Sequence, residues 1–258
     1  MTTNAPRLQV TSAQHIFPRS CLRHFAGRGG KLQVRLLRTG LVEHHGPYSH
    51  RFTATRAWDQ RTEAKVMQQI ETEFGRVIAP IRKGHAHALL LEQHKAVAAL
   101  YALWMLRAHR ASAPIPDIQL NGFWGPIAHR TAADIDEMEA HGIITIKPGG
   151  TVVGRQMAGP QLQLDLDRAC LELADIKWGV LRAAEGAGEF CIPDTPGRVL
   201  YLPITPSIAL AGGWADGMVD RQAVLSFNTA AVRHARDFVA ARDLAACPWL
   251  AAIERTGP

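Results

Sequence analysis

Residues 87–110 read HALLLEQHKAVAALYALWMLRAHR, and this stretch decides how the chain is organised. Its apolar positions recur so closely that they would cover most of the surface of a helix. Such a helix has no polar face to turn towards water, so we predict a central core helix over residues 87–110. Pro114 and Pro116 follow, and proline is poorly tolerated in the interior of a continuing helix.

A second helix is predicted directly upstream of this core helix. The side chain of Asp59 can accept a hydrogen bond from a backbone amide at the start of a helix that begins near Arg61. We expect that helix to end at Pro80. Apolar residues recur at helical spacing between these points, namely Val66, Ile70, Phe74, Val77 and Ile78.

The N-terminal part predicts a short helix and a pair of strands. Leu22 and Phe25 have helical spacing behind Pro18, and proline is tolerated in a first helical turn. Residues 31–36 alternate between polar and apolar, as a strand does, and the Thr-Gly pair at 39–40 can turn the chain into a second strand. Mixed secondary structure therefore precedes the helices.

Two segments follow the core helix. Residues 131–142 predict a short acidic helix that ends at Gly142. Residues 147–160 are rich in glycine and proline, and we predict a mobile loop there. The spacing of residues 162–173 is mixed, partly alternating and partly helical.

From Ile176 onward the pattern changes to short apolar runs separated by glycine and proline, which is typical of the strands of a small sheet. Helical spacing returns at residues 229–244, where we predict a last helix. Strands and helices are thus segregated along the chain, which predicts an α+β fold: an N-terminal short helix and strand pair, a central helical core, and a C-terminal small sheet with a final helix.

The composition supports one globular domain. Of the 258 residues, 47% are hydrophobic and 20% are charged, which provides enough apolar material for a core. We predict a single α+β domain with loose termini on either side; the domain spans 13–245 (helix-rich over 60–175 and β-rich over 176–215), and the termini span 1–12 and 246–258.

Several classes of protein are disfavoured. No apolar run approaches about 20 residues and no secretion signal is present, so we predict a cytoplasmic protein without a membrane partner. The four cysteines form no Cys-x-x-Cys pair, and we expect buried or inert thiols. Phosphate-binding glycine loops and the Gly-x-Ser-x-Gly motif are absent. The net charge of +6 favours contact with nucleic acid only weakly.

Short motifs occur in a defined order over about residues 14–240. They are the His-x-x-Pro at His15 with Leu22, Arg23 and Phe25; Glu63 and Glu71; Leu106 with Arg107; Trp178; residues 190–196; residues 203–206; and Phe227 and Asn228 with Ala235 and Arg236. In this order they resemble an uncharacterised bacterial family, the domain of unknown function 4238. Residues 192–196 depart from the family pattern and keep only Asp194 and Pro196.

The resemblance carries an implication for function but no established chemistry. Some members of that family lie in mobile-element islands and look like anti-phage defence genes. By analogy, the resemblance implies an anti-phage or mobile-element defence effector that acts on nucleic acid or a nucleotide.

Three polar residues are candidates for catalysis. His15 stands at a helix entrance, where an imidazole can serve as a general base. Glu71 lies in an otherwise apolar-periodic helix, and Asp194 lies in a proline-flanked turn after a strand. If Glu71 and Asp194 converge, they could hold a divalent cation that activates water. Each also has a structural alternative: a backbone hydrogen bond for His15, an ion pair with Arg107 for Glu71, and a turn for Asp194.

Three further residues are candidates for substrate binding. A guanidinium matches a phosphate bidentately, so Arg107 and Arg110 could clamp one. Pairing of Arg107 with Glu71 is the structural alternative. Asn228 stands where the last predicted helix begins, and it could equally be the N-cap of that helix.

These candidates allow two functions. In the first, His15, Glu71 and Asp194 converge in a metal-assisted hydrolase of nucleic acid or a nucleotide, with Arg107 holding phosphate. In the second, the protein is a non-catalytic sensor or binding protein for a phage component or nucleic acid. The second function predicts a satisfied Glu71–Arg107 pair and no open pocket beside His15.

Overall fold

The computed structural model describes residues 10–122 and 130–248 of the chain. It contains both helices and several small sheets, which confirms the predicted α+β class. The N-terminal elements, in order, are β1 (Ala13–His15), α1 (Arg19–Leu22), β2 (Leu32–Leu36), β3 (Val42–His45) and β4 (Thr53–Thr55).

The predicted N-terminal helix and strand pair are both present. Helix α1 starts directly after Pro18 and continues as a 3-10 turn, Arg23–Phe25. Strands β2 and β3 form an antiparallel hairpin, and Gly40 occupies its turn with a φ of +73°, which suits a residue without a Cβ. Strands β1 and β4 form a separate antiparallel pair.

The next helix begins as predicted but ends later. Asp59 caps α2 (Gln60–Thr62), since its Oδ1 accepts a hydrogen bond of 2.9 Å from the backbone amide of Thr62. A π-helical turn (Glu63–Met67) leads into α3 (Gln68–Arg82). The predicted end at Pro80 is wrong, because a proline in the last turn of a helix removes only one amide donor. Gly84, with a φ of +77°, follows the helix end.

The central core helix is confirmed as α4 (Gln93–Ser112). It begins later than predicted. Leu90 and Leu91 precede the helix and are 61% and 79% exposed, so these two leucines do not belong to the buried helical surface that the sequence pattern predicted. Its side chains form the middle of the larger apolar cluster, where the deeply buried members include Val97, Leu100, Tyr101, Leu103 and Trp104. α4 packs against α3 on one side and α6 (Gly154–Glu172) on another.

The glycine-rich segment has a regular structure. The acidic helix is present as α5 (Ala132–Ala140), and it is followed by strands β6 (Ile146–Lys147) and β7 (Thr151–Val152). β7 pairs with β6 on one side and with β5 (Ile118–Gln119) on the other. The prediction of a mobile loop over 147–160 is wrong, because this segment forms the β6–β7 turn and the first turns of α6.

Glycine in that segment serves close packing. A Cβ at Gly154 would lie 2.1 Å from the Ile115 carbonyl oxygen, and a Cβ at Gly159 would lie 2.3 Å from Asp59 Oδ2. Both distances are far below contact distance, so each glycine lets α6 approach its neighbours closely.

The strands after α6 are β8 (Trp178–Ala183), β9 (Ile192–Pro193), β10 (Tyr201–Thr205), β11 (Ile208–Gly212) and β12 (Gly217–Val219). Four of them form the C-terminal sheet in the order β10-β11-β8-β12, with β12 parallel to β8. These positions agree with the β-rich region predicted from the short apolar runs.

The last predicted helix is misplaced. The observed α7 (Arg221–His234) starts earlier, with Asp220 as its N-cap, and the second half of the predicted range contains strand β13 (Phe238–Ala241). β13 lies between β2 and β9 in a second four-stranded sheet of order β3-β2-β13-β9. Tertiary pairing therefore overrides the helical spacing of this segment.

The apolar core consists of two clusters. The larger one surrounds α4 and includes residues from Phe17 to Ala240, whereas the smaller one lies against α7 and includes Phe190, Tyr201 and Phe227.

Of the predicted loose termini, residues 1–9 and 249–258 lie outside the described residues. Across the two described ranges, we find no helix with the length and apolar character needed to span a membrane.

Candidate functional site

Arg107 is the centre of a buried polar network. Its side chain is 2% exposed on α4; Nη1 donates to Glu71, and Nη2 lies 3.6 Å from Glu63 Oε2. Nε donates to the sulfur of Met67 at 3.4 Å. Each of the three guanidinium nitrogens therefore has a neighbour within the protein. Arg107 has a structural role, and its guanidinium is not free to bind a phosphate.

The π-helical turn explains how one arginine meets both glutamates. In a regular α-helix, residues eight apart such as Glu63 and Glu71 are separated by about 80° around the axis. A π turn accommodates about one additional residue, which reduces this separation to roughly 20°. Glu63 also accepts a hydrogen bond of 2.6 Å from Trp58 Nε1, and Arg107 lies over the Trp58 ring at 5.8 Å. The helix irregularity thus completes the Arg107 network.

His15 is partly buried at the end of β1, and its Nε2 lies 3.0 Å from the carbonyl oxygen of Pro47. The pKa of His15 is lowered, first by burial and then by nearby Arg19 and Arg107, while the Pro47 carbonyl and Glu71 act in the opposite direction. A neutral imidazole that donates Nε2–H to a carbonyl fits these surroundings. The structure therefore brings His15 near Glu71 and Arg107, with one ring nitrogen already occupied.

Asp194 belongs to a different set of contacts. Its Oδ1 accepts from the backbone amide of Arg236 at 2.8 Å, and its Oδ2 accepts from the amides of Asp237 and Phe238 at 2.7 and 3.4 Å. Burial raises the pKa of this carboxyl more than the three amides lower it. Asp194 therefore holds the chain at the entry to β13, which is a structural role but a long-range one and not the local turn predicted from its position.

The structure separates the two predicted metal ligands. Glu71 is paired with Arg107, and both oxygens of Asp194 are taken by backbone amides. Within 10–122 and 130–248, no group of three or more His, Cys, Asp or Glu side chains is placed to hold a metal ion. The donor set therefore does not fit the divalent cation that the convergence of Glu71 and Asp194 would bind.

Arg110 and Asn228 also have structural partners. Arg110 Nη2 donates to Asp165 Oδ2 at 3.0 Å and thereby ties α4 to α6. Asn228 is completely buried inside α7, so its predicted N-cap position is wrong. Its Oδ1 accepts from the Cys191 amide at 3.0 Å, and its Nδ2 donates to the Glu189 carbonyl at 2.8 Å. Asn228 fixes the chain before β9 and cannot reach a substrate from the surface.

An exposed cluster that was not predicted lies next to His15. Tyr48 is 60% exposed, and the guanidinium carbons of Arg19 and Arg23 lie 4.9 and 5.5 Å from its ring centroid. Arg23 also donates a hydrogen bond to the Tyr48 hydroxyl, and this bond lowers the pKa of Tyr48. The His15 ring meets Tyr48 edge-on at 6.4 Å. We name Arg19, Arg23 and Tyr48 the Tyr48 face.

Neither arginine of the Tyr48 face forms an ion pair with a carboxylate within the described ranges. Both are exposed. Their positive charge is therefore available to an anion, beside an aromatic ring that is also exposed. In the sequence, only the position of Arg23 in a family motif pointed to this cluster. Tyr48 lies in a polar loop that shows no recognisable pattern.

A groove of about 470 Å³ is lined by residues that include Ile16 and His50, but not by Arg19, Arg23 or Tyr48. Arg110 and Asp194 line it too, so the structure brings these two predicted residues together, although not with Glu71. Arg51 and Arg236 add positive charge, and Arg236 is exposed and has no ion-pair partner within the described ranges.

The cysteine thiols play no part in this region. All four are free, and burial raises the pKa of Cys21 and of Cys191 to about 12 in each case. A thiol with such a pKa is protonated and unreactive at neutral pH, which agrees with the expectation of inert thiols at these two positions.

No family model, no curated protein and no solved structure matches this chain. The resemblance to the domain of unknown function 4238 therefore stays a prediction from the motifs.

Proposed function

We propose that this protein binds single-stranded nucleic acid through the Tyr48 face, as a non-catalytic sensor or binding protein. One observation carries the proposal: two exposed arginines that have no carboxylate partner in the described ranges lie 4.9 and 5.5 Å from the ring centroid of an exposed tyrosine. An aromatic ring can stack on any base, and flanking guanidinium groups attract the phosphates that connect successive bases.

The saturated contacts of the predicted catalytic residues favour binding over hydrolysis. Glu71 is engaged by Arg107, and Asp194 is engaged by three backbone amides. A metal-dependent hydrolase needs carboxylates that are free to bind a cation and activate water. The groove of about 470 Å³ is lined by Ile16, and His15 is not among its lining residues.

The biological setting of this binding rests on sequence. A role in anti-phage or mobile-element defence, with a nucleic acid or a phage component as partner, follows from the resemblance to the domain of unknown function 4238. A cytoplasmic location, expected from the lack of a secretion signal, belongs to the same proposal.

Fluorescence anisotropy with labelled single-stranded DNA and RNA tests the proposal directly. Tyr48→Ala should weaken binding by about 1–3 kcal/mol, as the loss of one stacked base does. The double variant Arg19→Ala/Arg23→Ala should weaken binding and also reduce the slope of log affinity against log salt by about 1.4, which corresponds to two phosphate contacts on a single strand.

The matched control is Arg168→Ala/Arg233→Ala, which removes the same charge from exposed positions on α6 and α7. We expect it to keep most of the wild-type affinity. Equal losses of affinity in the two double variants would show that binding depends only on general charge attraction. If the wild type does not bind single-stranded nucleic acid, the proposal is wrong. Cleavage of the nucleic acid that requires Mg²⁺ or Mn²⁺ and disappears in Glu71→Gln would instead support the hydrolase hypothesis.

A further inference from the structure

A cavity of about 400 Å³ lies between α2, the end of α5 and the first half of α6. It shares no lining residue with the groove of about 470 Å³. Its size is within the range of small-molecule sites in proteins. None of the residues predicted from sequence to carry function lines this cavity.

Glu139, which lines the cavity, has one oxygen without a partner. Its side chain is 2% exposed, and its Oε2 accepts from Arg56 Nη2 at 3.1 Å and from Arg155 at 3.0 Å. Its Oε1 is buried and has no hydrogen-bond partner within the described residues. Both arginines approach Oε2, so Oε1 is left as an acceptor that lacks a donor.

Gln156, which also lines the cavity, has the opposite deficiency. The backbone amide and the hydroxyl of Thr145 both approach its Oε1, at 2.9 and 3.1 Å. Because the backbone N–H can only donate, it fixes which end of the Gln156 amide is the oxygen. The Nε2 group is buried and has no acceptor in the described part of the chain.

These two groups require an explanation, because native proteins leave few buried polar atoms unpaired. One cavity is lined by a residue with an unused acceptor and a residue with an unused donor. A ligand that carries both an N–H group and an acceptor atom offers the partner that each of these residues lacks. The nucleic-acid bases have both kinds of group on one edge.

The remaining lining residues suit the rest of a nucleotide. Ile143 and Ile144 are 47% and 46% exposed and provide apolar surface for a flat ring. Arg61 and Lys65 are exposed and form no ion pair within the described residues, so two positive charges stand at the opening. An apolar wall with cations at the rim is suited to a base that carries a phosphate.

We propose that this cavity binds a mononucleotide, with the base edge on Glu139 and Gln156 and the phosphate beside Arg61 and Lys65. The ligand would occupy a site distinct from the nucleic-acid-binding surface proposed above, and its binding does not depend on that surface. The protein would then have two separate positions for nucleotides: a stacking face for a strand and a cavity for a single unit.

Isothermal titration calorimetry of the full chain tests this site with the four ribonucleoside monophosphates, the matching nucleosides and inorganic phosphate. At least one monophosphate should bind saturably at one per chain. Phosphate alone should bind more weakly than that monophosphate, because it has no base to contact Glu139 and Gln156. Tyr48→Ala should leave this binding unchanged, which separates the site from the Tyr48 face.

Two variants assign the contacts. Glu139→Gln replaces the free acceptor by a donor, and we expect it to weaken the preferred nucleotide at least about tenfold and to change the preference among the bases. Arg61→Ala/Lys65→Ala is confined to exposed side chains, so it should fold normally. It should weaken the monophosphate several-fold and leave the nucleoside unaffected, whereas the control Arg76→Ala/Lys83→Ala should affect neither.

The proposal is overturned if no monophosphate binds the wild type at millimolar concentration, or if inorganic phosphate binds as tightly as the nucleotide. Equal losses in the rim variant and its control would also overturn it. If Glu139→Gln does not fold, the rim variant and the comparison of nucleotide with nucleoside still decide the outcome.

Discussion

The segment formed by residues 60–67 has a closed polar network on one side and an open cavity on the other. On the closed side, Glu63 and Glu71 meet Arg107, and every charge has a partner. On the open side, Glu139 meets Arg56 and Arg155 through one oxygen only. Both sides contain a buried charged residue, so burial of charge does not by itself mark a ligand site.

The difference lies in what remains unsatisfied. A buried ion pair whose atoms are all occupied fixes the packing of its helices and has nothing to offer a ligand. A buried polar atom without a partner costs free energy in the empty protein, and a ligand that supplies the partner recovers that cost. The sequence directed attention to the closed side, because its residues belong to the recognised motifs.

The closed network should produce the largest loss when broken. Arg107→Leu leaves Glu63 and Glu71 without their shared cation, and we expect the free energy of unfolding to fall by about 3–5 kcal/mol. Urea unfolding followed by circular dichroism measures this change. Arg233→Ala, at an exposed position of α7, should change it by less than about 0.5 kcal/mol.

A triple variant tests whether the network acts as one unit. Glu63→Gln/Glu71→Gln/Arg107→Leu removes all three charges together and should recover much of the loss, because no unpaired charge remains. A loss below about 1 kcal/mol for Arg107→Leu alone would contradict the view that this side is closed and structural.

The open side should be sensitive to packing at Gly159. A Cβ there would lie 2.3 Å from Asp59 Oδ2 and 2.5 Å from Thr62 Oγ1, so Gly159→Ala must displace these two side chains or α6 itself. Overpacking of this kind costs about 1–3 kcal/mol, and thermal unfolding would report it.

Gly75 provides the matched control for Gly159. It lies inside α3, and a Cβ added there would meet nothing within 4 Å. Gly75→Ala should therefore stabilise the protein by about 0.5–1 kcal/mol, in the direction opposite to Gly159→Ala. Equal effects of the two substitutions would show that helix propensity, and not the contact with Asp59, governs position 159.

The smallest expected effect is the pH dependence contributed by His15, at the edge of the closed side. Burial and the nearby Arg19 and Arg107 lower the pKa of His15 from its ordinary value of 6.5. The unfolded chain therefore binds more protons than the folded one as the pH falls through 6.5, so stability contributed by neutral His15 is present above that pH and is lost below it.

His15→Gln removes this titration and keeps a group that can donate to the Pro47 carbonyl. The fall in unfolding free energy between neutral and mildly acidic pH should be smaller in this variant than in the wild type. Unfolding curves at several pH values measure it, and an identical pH dependence in both proteins would assign the effect to other groups, such as His24.

Local signals in the sequence were sufficient for much of the fold. The cap at Asp59, the core helix α4 and the hairpin of β2 and β3 each depend on residues close together in the chain, so patterns identified them. The predictions failed where distant contacts decide. Residues 238–241 have helical spacing but pair with β2 and β9, and α6 begins inside a glycine-rich segment because its glycines allow close packing.

The same limit applies to the site. The Glu71–Arg107 pair was one of the predicted alternatives, because a carboxylate in an apolar helix requires a cation nearby. Asn228 was placed at a helix start, yet the spatial proximity of residues 189–191 gives it a buried role instead. Tyr48, Glu139 and Gln156 had no sequence signal, since their surroundings are created only when distant segments meet.

The position of β13 between β2 and β9 has a consequence for the order of events during synthesis. Val34 pairs with Ala240 across this sheet, so its central strand is among the last described parts of the chain to leave the ribosome. The helices around α4 depend on closer neighbours and can collapse earlier. Until β13 arrives, β2 has an open edge, and a nascent chain stalled before residue 238 would be prone to aggregate through it.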